Sequence, residues 1–112
     1  LPEHLGAIEE LRILDVSDNR ITELPSSIGN LSKLRRLNLR KNKLNRLPEE
    51  IGQLNSLVEL DLRDNNLQEI PDSILQLGRL EKLDLRWNHS LRRTELLEQL
   101  EQLEQRGCIV YK

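Results

Sequence analysis

Asp15, Asn38, Asp61 and Asp84 stand 23 residues apart, and two places after each come Ser17, Arg40, Arg63 and Arg86. Carboxylates recurring at fixed spacing are the raw material of a divalent-cation site or an acid–base pair. Arg63 and Arg86 oppose that chemistry, because a guanidinium beside each carboxylate favours a planar, hydrogen-bonded ion pair over a dense cation site. A third series, Asp18, Lys41, Asp64 and Trp87, ends in the chain's single tryptophan. Asp61, Arg63, Asp84, Arg86 and Trp87 are therefore the candidate protein-binding set. In it Trp87 offers a broad apolar surface, the arginines directed contacts, and the aspartates hold them in orientation.

Catalytic arrangements fare poorly beside this one. Ser17 has no evident histidine base, and Cys108 lies in the apolar run CIVY, where a buried structural thiol is expected in place of a nucleophile. His4 and His89 sit near opposite ends of the repeated region and make no zinc cluster. No glycine-rich phosphate loop is present, so neither an enzyme nor a cofactor is expected.

The elements that must position these side chains restate one pattern. LRRLNLRKNKLNRLPEEIGQL, over 34–54, is followed by LVELDLRDNNLQEIPDSILQL, over 57–77. Leu37 with Leu39, and Leu60 with Leu62, alternate as in a strand with one buried face, which turns Asn38 and Asp61 towards solvent. Pro25, Pro48 and Pro71 resist sheet pairing and lead into short helical turns. Gly29 and Gly52 suit tight turns or close stacking, although Leu75 takes the equivalent place in the third unit. Asn19, Asn42, Asn65 and Asn88 form a structural ladder, in which a buried amide satisfies backbone groups at the strand exit. One such unit cannot bury its own leucines, so stacked units must wall one another in.

The spacing LxxLxLxxNxLxxLPxxIGxL resembles the leucine-rich-repeat family, in its short 23-residue, intracellular-style form. The resemblance runs from Leu11, Leu14, Val16, Asn19, Ile21 and Leu24 to Leu80, Leu83, Leu85 and Asn88. It implies an α/β, right-handed solenoid, with parallel strands on the concave face, short turns on the convex side and a C-terminal helical cap. It also implies protein recognition on the strand face and names no partner.

A single repeat domain over 1–112 is expected, with an incomplete first repeat over 1–10, the array over 11–93 and the cap over 94–112. In TELLEQLEQLEQRG, Leu96, Leu97, Leu100 and Leu103 form one apolar seam, Thr94 marks the start and Gly107 the stop. Glu98, Gln102 and Gln105 point to solvent, and Glu104 lies at the seam's edge. Docking of this helix on the last repeat is expected in preference to self-association, so the chain is expected to be a monomer.

The net charge of -2 over 112 residues carries no bias towards nucleic acid. A basic stretch from Lys33 to Arg46 is soon interrupted by Asp61, Asp64, Glu69 and Asp72. No apolar run approaches the ~20 residues of a membrane span. One cysteine points to a reducing, cytoplasmic or intracellular setting, a reading that a removed secretion signal would reverse. Two alternatives to a protein-binding module stay open: a purely structural scaffold, whose charges only keep it soluble while Trp87 covers the seam to the cap, and an anionic-ligand or nucleic-acid binder.

Overall fold

The computed structural model of the chain describes residues 3–112, with side chains from residue 5 onward. Leu1 and Pro2 of the expected first repeat, and the side chain of His4, lie outside the described residues. The repeated LxL segments form strands β1 (Ile13–Asp15), β2 (Arg36–Asn38), β3 (Glu59–Asp61) and β4 (Lys82–Asp84). After helix α1 (Arg93–Gln105) comes β5 (Ile109–Tyr111), and the five strands lie side by side in chain order, all parallel. Leu37 pairs with Leu14 on one side and Leu60 on the other, and Leu60 with Leu83. A slip of one residue would turn every one of these leucines to solvent, so the constant 23-residue step leaves one register.

Opposite the sheet, 3₁₀ turns occupy Glu3–Ala7, Ser26–Asn30, Glu49–Gln53 and Asp72–Gln76. Pro25, Pro48 and Pro71 stand extended before the last three turns, and their carbonyls accept the N–H of Ile28, Ile51 and Ile74 at 3.0–3.1 Å. Those isoleucines are fully buried against the strand leucines in a single layer of aliphatic core.

Gly29 and Gly52 serve close stacking. A Cβ at Gly29 would stand 2.8 Å from the Glu50 carbonyl oxygen of the next turn, and one at Gly52 only 2.5 Å from that of Ser73. Leu75 is tolerated in the third unit because the next element packed on its turn is α1 and not a further turn of the same kind. There the Arg106 guanidinium donates to the Leu75 carbonyl and the Gln99 amide to the Asp72 carboxylate.

The cap departs from expectation in detail. Leu96, Leu100 and Leu103 are buried, but Leu97 is 49 % exposed, because one residue's ~100° step carries it off the docked face. Gln102 is half-buried, while Glu98, Glu101, Glu104 and Gln105 are exposed. Thr94 lies within the first turn, after Arg92 at the cap position, and makes no capping bond. Gly107, at φ +93°, releases the chain into β5 as the sequence indicates.

The asparagine ladder is continuous across repeats. Asn42 donates to the carbonyls of Leu39 (3.0 Å) and Val16 (3.0 Å) and accepts from the Ile21 N–H (3.1 Å). Asn65 repeats the arrangement with Leu62, Leu39 and Leu44, and Asn88 with Leu85, Leu62 and Leu67. Each amide thus ties its own strand exit to the preceding repeat. Asn19 is the exception: it is exposed and bonds only to Val16 and Ser17 of its own unit, having no earlier repeat beneath it in the described structure.

Candidate protein-binding face

The strand-exit bend places the candidate side chains. Where each repeated strand ends, a short polar side chain folds back to accept the N–H two residues on: Asp15 from Ser17, Asn38 from Arg40, Asp61 from Arg63 and Asp84 from Arg86, at 3.0–3.2 Å. The next residue is left-handed in every repeat, with φ +58° at Asp18, +60° at Lys41, +55° at Asp64 and +64° at Trp87. Aspartate tolerates that conformation through its small polar side chain, whereas a bulky indole in it is an outlier. Trp87 is held there by the same geometry that swings Asn88 inwards to its ladder bonds.

The carboxylates and guanidiniums lock together. Arg63 closes a fork on Asp61, with Nε 3.0 Å from Oδ1 and Nη2 2.6 Å from Oδ2, and its Nε also lies 3.3 Å from Asp84 Oδ2. Arg86 forks Asp84 at 2.9 and 2.7 Å. Asp84 is buried, contrary to the expected solvent-facing column, and Asn38 and Asp61 are half-buried. The cause is β5, which lays Tyr111 beside Asp84 in register.

Burial opposes ionisation of Asp84, but the hydrogen bonds from the Arg86 side chain and N–H, with the charges of Arg86 and Arg63, hold its carboxyl below the ordinary aspartate range. Hydrogen bonding to Asp61 raises the Arg63 guanidinium in the complementary direction. An aspartate depressed in the folded state stabilises fully above its unfolded value of about 3.9, and that contribution is lost as pH falls through the lower folded value. The parent's melting temperature should therefore fall on acidification from about pH 4 downwards. Asp84→Asn should melt lower near neutrality, with a shallower loss across the acid window. Equal acid slopes in thermal melts of the two proteins would contradict this role.

Aromatic rings continue the pattern outwards. Trp87, 49 % exposed, lies between the guanidiniums of Arg40 at 5.9 Å and Arg86 at 5.8 Å from its ring centre. Arg86 also covers Tyr111 at 4.9 Å, and Lys82 approaches that ring at 5.5 Å. Lys82, Tyr111, Arg86, Trp87 and Arg40 form one row of alternating cation and ring. Trp87 thus extends towards the exit of β2.

The fold brings Asp61, Arg63, Asp84, Arg86 and Trp87 into one patch. Sequence reasoning placed Arg40 in the arginine column without its contact to Trp87, and missed Tyr111 and Lys82 altogether. The alternation in IVY hints that Ile109 and Tyr111 share a face, but the intervening helix hides their register from any count along the chain.

The remaining chemical candidates lie apart. Cys108 is buried, and burial followed by the nearby Glu104 charge pushes its thiol up, away from thiolate chemistry. Among the described residues no group of three or more His, Cys, Asp or Glu side chains is placed to hold a metal, and no helix is long and apolar enough to cross a membrane. The basic stretch is divided by the fold. Lys33 and Arg35 line a groove at the strand-entry edge, and Arg46 lies in a separate groove with Glu23, Glu49, Glu69 and Asp72.

Comparisons agree with this geometry. A family model described as a leucine-rich repeat region matches residues 26–110, and one for a leucine rich repeat matches 10–31. No curated protein matches the chain. Among solved structures, a leucine-rich-repeat protein of Leptospira interrogans is 38% identical over 100% of this chain, with a TM-score of 0.93. The plant peptide hormone receptor RGFR1 in complex with RGF2 is 44% identical over 81% (TM-score 0.75), and the leucine-rich repeat domain of the type III effector XopL 31% over 82% (TM-score 0.77). The chain spans 28%, 15% and 34% of the lengths of these three proteins. Repeat period, asparagine ladder, strand register and family match coincide, and the chain belongs to the leucine-rich-repeat family.

Proposed function

We propose that this segment is a non-catalytic protein-recognition module, whose partner lies across the strand face with its contact centre at Trp87, Arg63 and Arg86. The observation that carries the reading is Trp87 itself. A large ring half in solvent, kept in a left-handed backbone conformation and flanked by two guanidiniums, is a costly arrangement for a residue with no role. Tryptophan and arginine also dominate the energetics of measured interfaces. The similarity to RGFR1, a receptor solved in complex with RGF2, supports protein or peptide recognition in general. Asp61 and Asp84 act as positioning residues, because their forks hold the two arginines before anything docks.

The test compares variants against a partner isolated by affinity capture. Trp87→Ala should weaken binding by at least ~2 kcal/mol, or about thirtyfold, and Arg63→Ala by a smaller factor. Asn55→Ala, exposed on the turn side, should leave it unchanged. Thermal melting first establishes that all three variants keep the parental fold. Parental affinity in both strand-face variants moves the centre elsewhere, and loss in Asn55→Ala alone overturns the choice of face. Absence of any specific partner for the folded chain supports the structural-scaffold reading instead.

A further inference from the structure

The strand-face reading leaves the partner's chemistry open, and hydrogen-bond accounting on that face narrows it. Both carboxylate oxygens of Asp61 and both of Asp84 already accept from guanidinium groups, and one oxygen of each also takes a backbone N–H. The acceptors at the centre of the face are occupied. The cations at its two ends differ. Of the three arginines in their column, Arg40 alone follows an amide, Asn38, where Arg63 and Arg86 follow aspartates. With no carboxylate to fork, its guanidinium lies over Trp87. The Lys82 ammonium likewise lies over the Tyr111 ring. Among the described residues these two side chains have ring faces, not carboxylates, as their partners.

We infer that this face receives an extended acidic segment of a protein partner, with carboxylates docking at Arg40 and Lys82 and apolar side chains between them on Trp87 and Tyr111. The inference rests on the strand-face reading and gives it a sign of charge. A cationic segment would find Asp61 and Asp84 taken and Glu59, the register partner of Lys82, beside Arg36 at 3.8 Å, and it would meet the Arg40 guanidinium and the Lys82 ammonium, neither of them in an ion pair among the described residues. Spacing gives it a pattern as well. Arg40 and Lys82 lie two strands and about four residues apart, or ~16 Å, which an extended chain crosses in about five residues. The expected motif is therefore two acidic residues roughly five apart, with apolar residues between. Single-stranded nucleic acid is disfavoured, although bases stack on such rings, because a phosphate at every nucleotide would also meet Glu59, Asp64 and Asp18.

Trp87 is the only tryptophan, so its fluorescence reports occupancy of this site and no other. The experiment selects binders on the intact chain from a random peptide library of about twelve residues, long enough to span the ~16 Å with room to spare. Each selected peptide is then titrated while the Trp87 emission is monitored. Selected peptides should carry spaced acidic residues around apolar ones and shift the emission to the blue. They should lose about tenfold or more in affinity against Arg40→Ala or Lys82→Ala. The doubly reversed variant, Arg40→Glu with Lys82→Glu, should select basic peptides instead. Neutral or basic peptides that shift the parent's Trp87 emission overturn the inference and leave the strand face as the binding face. Peptides that bind without changing the emission, and that ignore Trp87→Ala, overturn both. A library with no binder dependent on Arg40 or Lys82 overturns the inference. So does an oligouridylate RNA of about ten nucleotides that quenches Trp87 and binds more tightly than the best peptide.

Discussion

Asn65→Leu is expected to lower the unfolding free energy by about 3–5 kcal/mol, more than most single substitutions cost. The Asn65 amide does several things at once. Its oxygen accepts the buried Leu44 N–H at 3.1 Å, and its nitrogen donates to the carbonyls of Leu39, Leu62 and Arg63 at 2.9–3.1 Å. Leucine has similar bulk, so the loss is polar, not a matter of volume. Leu39 and Leu62 keep one donor each, from Asn42 and Asn88, but the Leu44 N–H is left without an acceptor and away from water. An orphaned buried donor costs about 1–3 kcal/mol before the broken bonds are counted. The same substitution at Asn19, which is exposed and bonds only within its own repeat, should cost under about 1 kcal/mol. Urea denaturation of the two variants decides between them: equal losses would mean that the inter-repeat bonds contribute nothing.

That contrast shows what a repeat reveals by itself. The step from Leu37 to Leu60 to Leu83 determines the pairing of Asn38 with Asp61 and of Asp61 with Asp84, because equal units stack in one register only. The side chains of a column are therefore legible before any coordinates. Their environments are not, since equal positions have unequal neighbours. Asn19 matches Asn42 in sequence, yet among the described residues it bonds only within its own unit and stays exposed. Asp84 matches Asp61, yet a strand from outside the repeat period covers it with Tyr111. Nor does the period show that Trp87 occupies a left-handed bend. That requirement comes from turning the chain after the strand so that the asparagine points inwards, and a tryptophan is not a residue type that announces it.

The candidate face depends on the same boundary. Arg63 and Arg86 are organised by carboxylates that the column supplies, whereas the row of rings exists because the turn at Gly107, after α1, returns a fifth strand to the sheet. The rigid part of the face is thus repeat geometry, and its chemical individuality gathers where the repeat stops. Proteins of this architecture bury each unit against its neighbours. Distinct side chains are tolerated most readily on the outward strand positions, and there Asn38 in place of an aspartate is enough to free Arg40 for Trp87.

Leu60→Ala is expected to cost about 2–5 kcal/mol, and the position of Leu60 in the stack favours the upper part of that range. Its side chain is 1 % exposed, lies in the middle strand, and sits between Leu37 and Leu83 on adjoining strands. Collapse around the missing atoms would have to draw β2 and β4 inwards together. Their backbones are tied to the β3 unit at fixed spacing by the ladder bonds of Asn65 to Leu39 and Leu44 and of Asn88 to Leu62 and Leu67, so the cavity should persist. Leu97 is the matched comparison: the same residue type in α1, counted from sequence into the apolar seam but 49 % exposed, where truncation to alanine should change stability by less than about 0.5 kcal/mol. Chemical denaturation of both variants separates the two environments. A Leu97→Ala loss as large as that of Leu60→Ala would mean that α1 docks through its full leucine seam, whereas a near-neutral Leu60→Ala would mean that the single aliphatic layer does not hold the repeats together.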